Sequence, residues 1–81
     1  MSGRKREARI IREARLKMGY SQQQLANLVG ISVQAYQRLE YGERDIRNVS
    51  MRIGLAICAY LWIDPILLVF GGDFQKVHMN E

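Results

Sequence analysis

Between Ser21 and Glu40 the chain twice sets a serine ahead of a short amphipathic run and parts the two runs with a glycine. Ser21 with Gln24 three residues on has the spacing of a capping box. In that arrangement the hydroxyl accepts from the third amide of the helix, and the Gln side chain accepts from the serine backbone. Leu25, Leu28 and Val29 supply an apolar face. Gly30 supplies a residue that turns left-handed at little cost and so ends the helix. Ser32 caps the second run, about eight residues long, with Tyr36 and Leu39 inward and Gly42 closing it. Two short helices joined by so tight a turn must cross steeply, and Ala26 is small where they meet.

The flanking sequence continues the helical pattern. A first helix is predicted from about Lys5 to Met18, with Ile11, Ala14 and Met18 as its buried stripe and Gly19 as its stop. The stretch from Glu43 to Val49 is charged and aperiodic, and reads as a loop. Ser50 caps a fourth helix from Met51 to about Leu61, in which Gly54 costs about 1 kcal/mol of helix stability. Asp64-Pro65 is a cap followed by proline at the first helical position. It opens a short fifth helix, Ile66 to Phe70, ended by Gly71-Gly72. No run alternates apolar and polar residues long enough to read as a strand. The expected fold is therefore all-α. It has a basic N-terminal arm over residues 1–7, a helical domain over 8–72 and a polar tail over 73–81. At 81 residues this is one domain, burying about 60% of its unfolded surface.

Several function classes fall away. Cys58 is the only cysteine and His78 the only histidine, so neither an internal disulfide nor a four-ligand zinc site is available. No metal or cofactor is expected, and a reducing, cytoplasmic setting is. No nucleophile, base and acid converge, because His78 lies in the tail. Gly71-Gly72 follows an apolar helix rather than opening one, so it is not a phosphate loop. The chain is read as a non-enzyme. The apolar runs from Ile53 to Ile63 and from Pro65 to Gly72 approach a membrane span in total length. Asp64 and Pro65 between them argue for two core helices and no membrane partner. The basic N-terminus has no apolar stretch behind it and is not read as a signal peptide. The net charge is +4, and residues 1–20 alone carry seven Lys and Arg against two Glu. A basic front on a neutral body suggests a polyanion as partner.

Taken together, Arg15, Ser21-Gln22, Leu25-Ala26, Val29-Gly30, Leu39-Glu40, Gly42, Arg44 and Asp64-Pro65 resemble the Cro/C1-type helix-turn-helix proteins, the XRE family. The likeness covers about residues 8–72. It implies a compact five-helix, lambda-repressor-like DNA-binding domain with its helix-turn-helix at helices 2 and 3. By that resemblance the helix over about 33–40 would lie in the major groove of double-stranded DNA. Val33, Gln34, Gln37 and Arg38 would contact bases; Gln22, Ser32, Arg44 and Arg47 would contact phosphates. Arg15 and Glu40 would form a structural pair. The expected role is a transcriptional repressor or regulator of prokaryotic or phage type. Ile66, Leu67, Val69 and Phe70 would form a homodimer interface, because a short helix apolar on every side cannot bury all of them in one small core. Departures from the family pattern are a longer loop after Gly42, Glu43 where a base is frequent, Tyr36, Gly54 and Trp62.

Rival readings share many of these residues. Arg4, Lys5, Arg6, Arg9 and Arg12 either approach phosphates and a minor groove or simply solvate a helix. Arg47 and Arg52 either touch the DNA backbone or face solvent. Tyr60, Trp62 and Phe70 read as core or dimer contacts. An antitoxin of the same fold would bind its promoter and also mask a toxin. A protein-interaction module would use the basic helix and the apolar fifth helix without DNA.

Overall fold

Serine or aspartate opens four of the helices, and each accepts a hydrogen bond where its spacing predicts. The computed structural model describes residues 3–71. They form α1 (Gly3–Met18), α2 (Gln22–Val29), α3 (Val33–Glu40), a 3-10 turn (Ile46–Asn48), α4 (Met51–Leu61) and α5 (Pro65–Phe70). Ser21 Oγ accepts from the Gln24 amide at 3.0 Å, and Gln24 Oε1 accepts from the Ser21 amide at 2.8 Å. Ser32 accepts from Ala35, Ser50 from Ile53 and Asp64 from Ile66. Each such cap contributes about 1 kcal/mol by satisfying an otherwise orphaned amide. Gly30 leaves α2 at φ 89° and lets the chain turn into Ser32 within two residues.

The core lies where α2 crosses α3 and α4, with α1 laid across α3, α4, α5 and the 3-10 turn. Ile11, Leu25, Ala26, Tyr36, Leu39, Ile57, Leu61 and Leu68 are buried together there. The all-α, five-helix expectation holds, and the described residues contain no strand.

Four sequence expectations need correction. Residues 3–7 are helical rather than an arm, and two of their side chains, those of Arg6 and Glu7, find distant partners. Arg6 bonds carbonyls of α5, and Glu7 is buried beside Arg47. Met18 is exposed: the inward face of α1 runs through Glu7, Ala8, Ile11 and Arg15, and Met18 lies past it in the last turn. Leu28 is also exposed, beside Tyr20, Gln24 and Asn27 in a surface hollow, since α3 and α4 cover only the Leu25, Ala26 and Val29 side of α2. The Glu43–Val49 stretch is not wholly irregular. Asp45 caps its 3-10 turn, and Ile46 enters the core. Tyr60, Trp62 and Phe70 are all exposed and lie outside the core. Met1, Ser2 and the tail from Gly72, with His78, lie outside the described residues.

Candidate nucleic-acid interface

The surface formed by α3 and the start of α2 rests on one buried ion pair. Arg15 of α1 donates from Nε and Nη2 to the two carboxylate oxygens of Glu40, the last residue of α3. It also donates from Nη1 to the Tyr20 carbonyl at 2.8 Å. Tyr36, fully buried, donates its hydroxyl to Glu40 Oε2. Burial alone would raise the Glu40 carboxyl. Donors from Arg15, Tyr36 and Gln22 outweigh it and hold Glu40 below the usual carboxylate range. Burial, then the neighbouring carboxylate, push the Tyr36 hydroxyl far upward, so it stays a donor. The Arg15–Glu40 pair expected from resemblance is thus present, and it ties α1 to the end of α3.

Gln22, at the first position of α2, is bonded to α3. Its Nε2 donates to Glu40 Oε1 at 3.0 Å and lies 3.5 Å from the Tyr41 hydroxyl. Its Oε1 accepts from Gln37 Nε2 at 3.0 Å. The side-chain amide thus has partners within the protein on both its nitrogen and its oxygen. What the start of α2 still offers an anion is backbone N–H groups and the helix dipole.

On α3 the remaining positions separate by exposure. Gln34 and Arg38 are exposed and have no hydrogen bond or ion pair within the described residues. Gln37 is half-buried on the flank nearer α2. Val33, at the first position of α3, is half-buried and packs against the edge of the core. Ser32 is exposed, with its oxygen accepting the Ala35 amide and its hydroxyl proton free to point outward. Tyr41, exposed and three residues after Arg38, belongs to this face and was missed in the sequence. Its signal was helical periodicity from Gln34 through Arg38, carried one residue past the helix end.

The two loop arginines differ. Arg44 is exposed and makes only a 3.4 Å contact to the Asn48 carbonyl. Arg47 is committed: Asp45 grips its guanidinium at 2.7–3.2 Å, and Glu7 Oε1 lies 3.9 Å from its Nε. Arg52 donates to the Val29 carbonyl at 3.1 Å, capping the end of α2. Along α1, Lys5, Arg9, Arg12 and Lys17 are exposed and unpaired among the described residues.

On α5, Leu68 is buried while Ile66, Leu67 and Phe70 are 40%, 42% and 53% exposed, and Val69 is half-buried. An apolar groove of about 360 Å³ runs beside this helix, lined by Met51, Gly54, Leu55, Cys58, Pro65 and Val69 among others. Cys58 is buried at its base, and that burial pushes its thiol up, away from the reactive thiolate. Among the described residues no helix is long and apolar enough to cross a membrane, and no cluster of potential metal ligands occurs.

No curated protein and no solved structure matches the chain. The Helix-turn-helix family HTH_3 matches residues 11–64, a span that runs from the middle of α1 to the cap of α5 and encloses the whole Arg15–Glu40–Gln22 network. On that match and on the helix-turn-helix geometry of α2 and α3, the chain belongs to the Cro/C1-type helix-turn-helix family of DNA-binding regulatory domains.

Proposed function

We propose that this chain is a sequence-specific double-stranded DNA-binding protein, a transcriptional repressor that works as a homodimer in the cytoplasm. The observation that carries the reading is the contrast on α3: Gln34 and Arg38 stand exposed and unpaired, while every other polar side chain of that helix is tied within the protein. Gln and Arg are the side chains that pair bidentately with adenine and guanine edges in the major groove. Gln34 and Arg38 supply most of the discrimination, and Gln37 adds to it from the flank. Val33 contributes only the outer part of its side chain. Arg44, Ser32 and the first amides of α2 meet phosphates, and the unpaired cations of α1 add long-range attraction.

The apolar surface of α5 supports a symmetric pair through Ile66, Leu67, Val69 and Phe70. Such a pair sets two copies of α3 about 34 Å apart, one turn of DNA, and an operator of inverted repeats follows. Selection from a random duplex library at about 150 mM salt tests the reading, with Arg38→Ala run in parallel. An inverted repeat for the wild type, blurred at one position per half-site in the variant, is expected. Retention without any motif, or none at all, would sink it.

A further inference from the structure

Among the described residues one buried side-chain oxygen makes no hydrogen bond, and it is Glu7 Oε1. Arg47 Nε stands 3.9 Å from it, close enough to attract but too far to bond. That guanidinium donates instead to both oxygens of Asp45, at 2.7–3.2 Å. Asp45 in turn comes within hydrogen-bonding reach of Glu7, and two carboxyls can share such a bond only when one of them holds a proton. Two carboxyls therefore draw on one guanidinium. Arg6, the cation beside Glu7 on α1, spends its donors on the Leu67 and Leu68 carbonyls of α5. Among the described residues α3, α4 and α5, which also pack on α1, set no further charged group against Glu7. Glu7 precedes the matched residues 11–64, and Asp45 and Arg47 lie in the loop that is longer than the family pattern. The cluster is a feature of this chain that the family pattern does not account for.

We infer that Glu7, Asp45 and Arg47 form a proton-linked latch on DNA binding, in which Arg47 leaves the carboxyls for a DNA phosphate as Glu7 takes up a proton. The inference rests on the DNA-binding reading above. Arg47 is exposed and shares its loop with Arg44, so it is near enough to a bound backbone to matter. If it turned outward while Glu7 was ionised, two carboxylates would be left side by side, one of them buried, with no paired cation. A proton from solvent on Glu7 removes that cost. The neutral carboxyl then donates to Asp45, and a single, partly exposed charge remains. Burial first, and Asp45 after it, already favour the protonated form of Glu7, and Arg47 opposes them. Departure of Arg47 removes that opposition. The linkage is reciprocal: a phosphate that draws Arg47 away tightens the hold of Glu7 on its proton, and acid strengthens the contribution of Arg47 to binding. Arg44 has no carboxylate partner, only the Asn48 carbonyl at 3.4 Å, and lacks this dependence.

The experiment measures affinity for a duplex against salt at about pH 5 and about pH 8, either side of the range in which a raised carboxyl titrates. Wild type, Arg47→Ala, Arg44→Ala, Glu7→Gln and the Glu7→Gln/Arg47→Ala pair are compared. In the wild-type background Arg47→Ala should leave the slope of log affinity against log salt nearly unchanged at the higher pH and lower it by about one at the lower pH. In the Glu7→Gln background it should lower the slope by about one at both. Arg44→Ala should do so at both pH values in the wild type. A carbon NMR titration of the Glu7 carboxyl in the free protein reads the cluster without DNA: Arg47→Ala should move its midpoint to higher pH. An Arg47→Ala effect that is the same at both pH values, while Arg44→Ala behaves as stated, overturns the latch and leaves DNA binding standing. A Glu7 midpoint that Arg47→Ala does not move also overturns it. A wild type that binds no duplex at either pH overturns the DNA reading and the latch together.

Discussion

Arg6, in the second turn of α1, closes the C-terminus of α5 by donating from Nη1 to the Leu68 carbonyl at 2.8 Å and from Nη2 to the Leu67 carbonyl at 3.2 Å. The last carbonyls of a helix have no partner within it, and a cation there also meets the negative end of the helix dipole. Arg6→Ala should therefore loosen α5 first. We expect a loss of about 1–2 kcal/mol by urea unfolding, with amide exchange in α5 speeding up more than in α2 or α3. Uniform loss of protection across all helices would contradict this.

Two buried carboxylates should give opposite pH responses. Glu40 is held below its ordinary range by Arg15, Tyr36 and Gln22 against the cost of burial. Its folded pKa lies below its unfolded one, so its stabilisation is present at neutral pH and is lost as pH falls through the folded value. Glu7 is raised, by burial first and by Asp45, with Arg47 and Arg6 opposing. Its folded state holds the proton more tightly, so its contribution improves as pH falls from the folded pKa toward the unfolded one. Denaturant midpoints across pH 3–8 would separate them. Glu40→Ala should cost about 3–5 kcal/mol at pH 7, since it strands Arg15 in the interior. Glu7→Gln should be stabilising at pH 7 and flatten the curve around its acidic shoulder, because Glu7 Oε1 is buried and makes no hydrogen bond. A destabilised Glu7→Gln protein would show that the Arg47 attraction dominates instead.

The two helix-associated glycines should also part in sign. Gly30 stands at φ 89°, where a Cβ is strained, and Gly30→Ala should cost about 1–2 kcal/mol. Gly54 lies inside α4, and a Cβ built on it meets only Val49 Cγ2 at 3.6 Å, an ordinary contact. Gly54→Ala should raise stability by about 0.5–1 kcal/mol through helix propensity. Thermal melts of the two variants decide both.

Among the arginines, salt dependence should sort the roles. Arg44→Ala should reduce the slope of log affinity against log salt by about one. Arg47→Ala should change that slope less, because Asp45 already neutralises its guanidinium. Equal slopes for the two variants would show that Asp45 lets Arg47 go on DNA.

What was legible in the sequence was whatever is decided within a turn of helix. Ser21, Ser32, Ser50 and Asp64 each act on an amide two or three residues away, so the helix starts could be read directly. Gly30 was readable for the same reason. The Arg15–Glu40 pair is 25 residues apart and came from resemblance rather than from spacing. Arg6, whose partners are 61 and 62 residues away, looked like part of a basic arm because nothing local distinguishes it from Arg4 or Lys5. Gln22 and Gln37 were named for DNA, but their bond to each other depends on the angle at which α2 and α3 cross. That Val33 also packs against the edge of the core was unreadable for the same tertiary reason.

Trp62 ends α4 in the left-handed region at φ 58°, and the residue is 84% exposed. It is also the chain's single tryptophan. The molecule therefore carries one indole fluorophore beside its four tyrosines, and it sits at the rim of a hollow formed by Ile10, Ala14, Lys17 and Ile63, well separated in sequence from α3. Its emission should be red and readily quenched by iodide in the free protein. A blue shift would be an optical signal that something has covered that end of α4, with no label needed to see it.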